Sequence, residues 1–177
     1  MTQYAAFLRG VNLGKRMVRS ADLKAAFEAM GYDDVRTLIA SGNVLFAASA
    51  DDEAKLAAAI EKGLAEKFGF DIGVVLRSRA ELEAMIAAEP FKTIPQNADA
   101  KLYVSLLREP GAHHLKLPFG IAGNFDVLSV TAREIFAVAW AMPNGRYGEG
   151  LDQLEKHLPR GTLITQRNWN TIVKAVA

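Results

Sequence analysis

The sequence predicts an α+β fold made of two ferredoxin-like-related lobes with antiparallel sheets, the first in β-α-β-β-α-β order and the second a degenerate unit of the same plan. Three observations carry this expectation. Short apolar runs of strand length alternate with segments whose apolar residues recur every three to four positions. Two strand-like runs meet at Gly42-Asn43, a pairing that suits a hairpin with glycine at the first central position. The chain has 177 residues, 50% of them hydrophobic, enough to bury a sizeable core.

Taken in order, Gln3 to Arg9 reads as a strand closed by Gly10. Ser20 then reads as the N-cap of a helix whose stripe is Leu23, Phe27 and Met30, stopped by Gly31. Val35 to Ala40 and Val44 to Ala48 are the hairpin strands, joined through Ser41-Gly42-Asn43 in a type II′ turn. Asp51, Asp52 and Glu53 open a second helix, where negative charge suits the dipole, and Leu56, Ile60, Leu64 and Phe68 form its apolar face before Gly69. Asp71 to Arg77 completes the first lobe as a strand.

Ser78 with Glu81 forms a capping box for a further helix with Leu82, Met85 and Ile86 inward, ended by Pro90. Residues 91–100 read as a connection, so the chain divides into an N-terminal lobe over 1–90 and a C-terminal α+β lobe over 91–177, or continues as one domain. In the second half, Lys101 to Leu107 is a strand, and Phe125 to Val130 with Glu134 to Trp140 is a second hairpin. Leu151 to Leu158 is a short helix, Thr162 to Thr165 a short strand, and Trp169 to Val176 a last helix capped by Asn168. The two halves repeat in element order and not in residue identity, and the first helix of the second unit is degraded.

Composition excludes several classes. Half the residues are hydrophobic and the net charge is +1, from 21 basic and 20 acidic residues, which excludes intrinsic disorder. No cysteine is present, so disulfides, thiolate metal sites and cysteine nucleophiles are excluded. The N-terminal run lacks the pattern of a signal peptide, and Ile135 to Met142 is too short to cross a bilayer. These features lead to the expectation of a cytoplasmic protein without membrane attachment.

Charge gathers in one place. Arg9, Lys15, Arg16 and Arg19 lie on a glycine-bearing strand-to-helix segment that contains no acid, which suits a phosphate or carboxylate near a helix N-terminus. A solvated basic loop is the alternative. The segment is no P-loop, since Gly10 to Gly14 is one residue short of that spacing and Arg16 stands where a magnesium-binding Ser or Thr belongs. At the far end, Asn168 and Trp169 are explained by capping and packing, whereas Arg167 and Asn170 are not. The candidate ligand-binding residues are therefore Arg9, Asn12, Lys15, Arg16, Arg167 and Asn170. His113, His114 and His157 lack metal spacing, no metal or cofactor is expected, and no catalytic residue is assigned. Tyr4, Phe7 and Phe46 fall on the expected strands, but they do not make an RNA-binding platform, because Tyr4 and Phe7 point to opposite faces.

Three segments together carry a resemblance. Phe7-Leu8-Arg9-Gly10-Val11-Asn12-Leu13-Gly14, Thr37 to Phe46 with its Ser41-Gly42-Asn43-Val44, and Thr165 to Thr171 with its Arg167-Asn168-Trp169-Asn170-Thr171 resemble domain-of-unknown-function family 1697. The resemblance implies a two-lobed α+β fold related to ferredoxin-like units in a bacterial, intracellular setting, and it supplies no mechanism. The sequence departs from that family's pattern at Gly148-Glu149-Gly150, where a Ser-Lys is usual. The functional expectation is an uncharacterised protein that binds an anionic small molecule at the basic loop. A nucleic-acid-binding module and a protein-interaction domain without catalysis are the alternatives, and oligomeric state is open.

Overall fold

The computed structural model describes residues 1–38, 41–49 and 52–177. The chain divides into two compact units, Met1–Ala84 together with Val173–Ala177, and Met85–Ile172. The α+β plan with two antiparallel sheets, one of four strands and one of five, is present.

The first unit runs β1 (Thr2–Arg9), α1 (Ser20–Ala29), β2 (Asp33–Thr37), β3 (Asn43–Ala48), α2 (Glu53–Phe68), β4 (Gly73–Ser78) and the start of α3 (Arg79–Ala87). Its strands pair antiparallel in the order β2-β3-β1-β4, so the first and third strands are central. The two-residue period of β1 sends Ala6 and Leu8 to one face, where they meet Val44, Phe46, Val74 and Leu76. Leu23 and Phe27 of α1 and Leu56, Ile60 and Leu64 of α2 close on that same face. Phe46 sits at its centre, its ring 5.3 Å from Phe27, 5.0 Å from Tyr32 and 5.7 Å from Tyr4. Full burial of such side chains contributes roughly 1.5–3 kcal/mol each from transfer alone. The opposite face is buried too, through Ala5, Phe7, Leu45, Ala47 and Val75, and it carries Arg77 at 1% exposure.

The helix ends follow capping chemistry, with one correction. Asp52 caps α2 by accepting from the Lys55 N–H at 3.1 Å, and Gly69 ends it at φ 81°. The Ser78–Glu81 box is reciprocal: the Ser78 N–H donates to Glu81 Oε2 at 2.7 Å and the Glu81 N–H to Ser78 Oγ at 3.1 Å. Ser20, however, is the first helical residue of α1 and no cap. Arg19 occupies the capping position and makes no side-chain cap bond. The hairpin turn is also longer than expected. Strand β2 ends at Thr37 and β3 begins at Asn43, with the Leu38 N–H donating to the Asn43 carbonyl, so the strands are not joined by a two-residue type II′ turn at Gly42-Asn43. Asn43 is accordingly a strand residue, 1% exposed. Ile39 and Ala40 of the expected hairpin and Asp51 of the expected helix start lie outside the described residues.

The second unit holds β5 (Ala100–Leu107), β6 (Gly120–Ile121), β7 (Phe125–Val130), β8 (Glu134–Trp140), β9 (Ile164–Asn168) and the first turn of α4 (Trp169–Ala175), with 3-10 turns at Ala112–His114 and Leu151–His157. The sheet order is β6-β7-β8-β5-β9, antiparallel throughout. With the two-residue β6 set aside, β7-β8-β5-β9 reproduces the order β2-β3-β1-β4 of the first unit. The helix that would correspond to α1 is reduced to the Ala112–His114 turn, and the one that would correspond to α2 to the Leu151–His157 turn. Leu151 and Leu154 of that turn pack on Leu107, Phe125, Ile135, Ala137 and Ile164 to make this unit's core.

Candidate functional site

The segment between β1 and α1 is a tightly braced loop. Gly10, Asn12 and Gly14 have φ of 85°, 57° and 55°, which turns the chain sharply three times. The Asn12 N–H donates to the Arg16 carbonyl at 2.6 Å and the Arg16 N–H to the Leu13 carbonyl at 2.9 Å, closing residues 12–16 into a small hairpin. The Asn12 side chain then accepts from the Val18 N–H at 2.9 Å. Asn12 therefore holds the loop in shape. The N–H groups of Asn12, Arg16 and Val18 are used inside the loop.

Those side chains are available. Lys15, Arg16 and Arg19 are exposed, and among the described residues none has an acidic partner within ion-pair distance. Arg16 folds back toward the strand end: its guanidinium lies 5.6 Å from the centre of the Phe70 ring, and a Cβ added at Gly10 would stand 3.7 Å from its Nη1. Arg9, the last residue of β1, is half-buried. Two apolar side chains share the loop's surface, Leu13 at 66% and Met17 at 68% exposure.

The remaining candidates belong to the second unit. Arg167 lies on β9 opposite Val104 of β5 and is half-buried. Its Nη1 donates to Thr165 Oγ1 at 2.5 Å and to the Gln166 carbonyl at 2.9 Å, and burial pushes its pKa down to about 10. It remains a cation at neutral pH. Asn170 is exposed, and its N–H donates to Asn168 Oδ1 at 2.9 Å, the expected cap. Trp169 packs edge-on against Phe91 at 5.2 Å and Phe136 at 6.1 Å. The six candidates thus form two groups, Arg9, Asn12, Lys15 and Arg16 on the loop of the first unit, and Arg167 with Asn170 at the β9–α4 junction of the second.

The aromatic residues of the first sheet are committed to packing. Tyr4 and Phe46 belong to the helix-side core, and Phe7 is buried on the other face. His113 and His114 contact each other, and His157 lies edge-on to Phe119 at 4.6 Å. Among the described residues no group of three or more His, Asp or Glu side chains is placed to hold a metal ion. Among the same residues no helix is long and apolar enough to cross a membrane. One feature has no sequence signal: a cavity in the first unit beside Arg36 and Arg79, residues brought together only by strand register and the α3 start.

The family described as protein of unknown function, DUF1697, matches residues 1–136. The chain belongs to DUF1697. The match takes in the DUF1697 basic loop and the β2–β3 connection, while Arg167 to Thr171 lie beyond the matched residues. Among solved structures, the DUF1697 chain is similar to the conserved bacterial protein SP0830 from Streptococcus pneumoniae, at 23% identity and a TM-score of 0.72, over 99% of this chain and 97% of that one. At that identity the likeness shows the fold alone. No curated protein matches the chain.

Proposed function

We propose that this DUF1697 protein acts in the cytoplasm as a binder of an anionic small molecule carrying phosphate or carboxylate, held by the side chains of Arg9, Lys15 and Arg16 on the loop between β1 and α1. The observation that supports this most is the exposure of Lys15, Arg16 and Arg19 without an acidic partner among the described residues, on a segment that contains no acid. The brace from Asn12 to Val18 limits the loop's freedom, so binding need not order it afresh. Arg167 and Asn170 are the candidates of the second unit for the same ligand class. The test is calorimetric titration with pyrophosphate. Binding that disappears when Lys15→Ala and Arg16→Ala are combined supports the reading, and absence of heat in the unaltered protein removes it.

A second reading has its own observation. Leu13 and Met17 present exposed apolar surface among these cations, a mixture suited to an acidic protein surface. Binding of polyanionic RNA with a steep salt dependence would instead support a nucleic-acid role. That role draws no support from Phe7 and Phe46, which are buried, or from Tyr4, which is half-buried with its ring stacked on Phe46.

A further inference from the structure

We infer that the first unit carries a second and separate ligand site, a cavity that takes an organic molecule with an oxyanion head, carboxylate or phosphate, on an apolar body. The cavity measures about 440 Å³. That lies within the ~300–1,000 Å³ typical of small-molecule pockets. Ala5, Leu45 and Leu82 supply apolar wall, and Arg36, Arg79 and Asp34 supply its polar groups. Strand register explains the grouping. Arg36 pairs with Leu45 and Leu45 with Ala5, so all three project from the face opposite α1 and α2.

Two guanidinium groups give the cavity its ligand chemistry. Arg36 is exposed, and its guanidinium has no ion pair or hydrogen bond among the described residues. Arg79 is held in place from two sides: its Nε donates to Glu83 Oε1 at 2.7 Å and its Nη2 to the Val176 carbonyl at 2.5 Å. A guanidinium has five N–H donors, so Arg79 keeps three for a ligand while its plane is already fixed. An oxyanion accepted by a pre-oriented guanidinium on one side and Arg36 on another meets the strong, charge-assisted geometry. The apolar wall excludes water from the remainder of the ligand.

The strand beside the cavity is irregular at the same place. The β2–β3 register shifts between Asp33 and Arg36, and Asp34 takes a φ of 50°, a backbone conformation that residues other than glycine rarely adopt. A bulge there sets the direction of Arg36 and puts the Asp34 carboxylate in the cavity wall. That carboxylate opposes an anionic ligand and so provides a test in the opposite direction from Arg36.

The experiment is two-dimensional amide NMR of the whole chain with phenyl phosphate and 3-phenylpropionate as probes. Either probe is expected to shift the amides of Ala5, Leu45 and Leu82, and the one that binds more tightly identifies the head group. Arg36→Gln should weaken binding about tenfold, the effect of losing one hydrogen bond to a charged group. Asp34→Asn, which suits the same φ, should tighten it. The combined Lys15→Ala and Arg16→Ala protein should bind as the unaltered one does, which separates this site from the loop. The inference is overturned if shifts are confined to residues 10–19, if Arg36→Gln binds unchanged, or if inorganic phosphate binds as tightly as phenyl phosphate.

Discussion

The side chain of Asn12 accepts a hydrogen bond from the backbone N–H of Val18 at 2.9 Å, across the base of the basic loop. The bond ties the start of the turn to the residue that enters the core ahead of α1, since Val18 is buried. Replacing Asn12 by Ala leaves the Val18 N–H without that partner and should cost about 1 kcal/mol. Urea unfolding measures the cost, and faster hydrogen exchange at Val18 locates it. An Asn12→Ala protein with unchanged exchange at Val18 would contradict the brace.

The loop's cations should act additively on polyanions. Each exposed cation removed from Lys15, Arg16 and Arg19 should reduce the slope of log affinity for heparin against log salt by roughly one. Arg9, half-buried at the end of β1, should change the slope less. Filter or fluorescence titrations across a salt series check both statements.

Trp169 is half-buried, wedged edge-on against Phe91 and Phe136. Its replacement by Ala should cost about 2–4 kcal/mol, at or below the range for fully buried aromatic truncations. Asn168→Ala should cost about 1 kcal/mol through the lost cap on the Asn170 N–H. Chemical denaturation of the two variants gives the ordering, and a milder effect for Trp169→Ala than for Asn168→Ala would refute the packing role.

Arg167 supplies a pH dependence. Burial lowers its folded pKa to about 10, below its value in the unfolded chain. As pH rises through about 10, the folded protein releases this proton before the unfolded chain does. The unfolded state then binds more protons, so this group makes stability increase with pH in that window. The slope of the urea midpoint against pH above about 10 should therefore be more negative in Arg167→Met than in the unaltered protein.

The capping box of α3 is a local test. Ser78→Ala removes the acceptor for the Glu81 N–H and should destabilise by about 1 kcal/mol. Glu81→Gln, which retains an oxygen for the Ser78 N–H, should cost less. Thermal melts of the pair are sufficient to rank them.

Local chemistry was legible in the sequence wherever one element settles its own form. The stripe of Leu23 and Phe27, the acidic start of α2, the Ser78 cap and the β7–β8 hairpin all follow from spacing and side-chain chemistry within a few residues. Gly42-Asn43 misled because the pair mimics a tight turn, while Asn43 is in fact a buried strand residue and the connection is longer. Ser20 misled for a similar reason, as the chain turns into the helix one residue earlier. Of the candidate site, the clustering of Lys15, Arg16 and Arg19 could be read directly. The cavity could not, because Ala5, Arg36, Leu45 and Arg79 are distant in the chain and meet only through register. The role of Asn12 was hidden too, since its bond to Val18 depends on left-handed backbone at Asn12 itself.

The first unit is interrupted in the chain, with Val173–Ala177 counted among its residues alongside Met1–Ala84. On a ribosome these two parts emerge at different times. Residues 85–172 must be synthesised between them, which takes several seconds at roughly 5–20 residues per second. The Arg79 guanidinium meets the Val176 carbonyl only after that interval. During it, the sheet of the first unit exists without its last five residues, and the Arg36–Arg79 cavity lacks the wall that Ala175 provides. A nascent chain therefore acquires that cavity in its final form only once Val173–Ala177 have been synthesised.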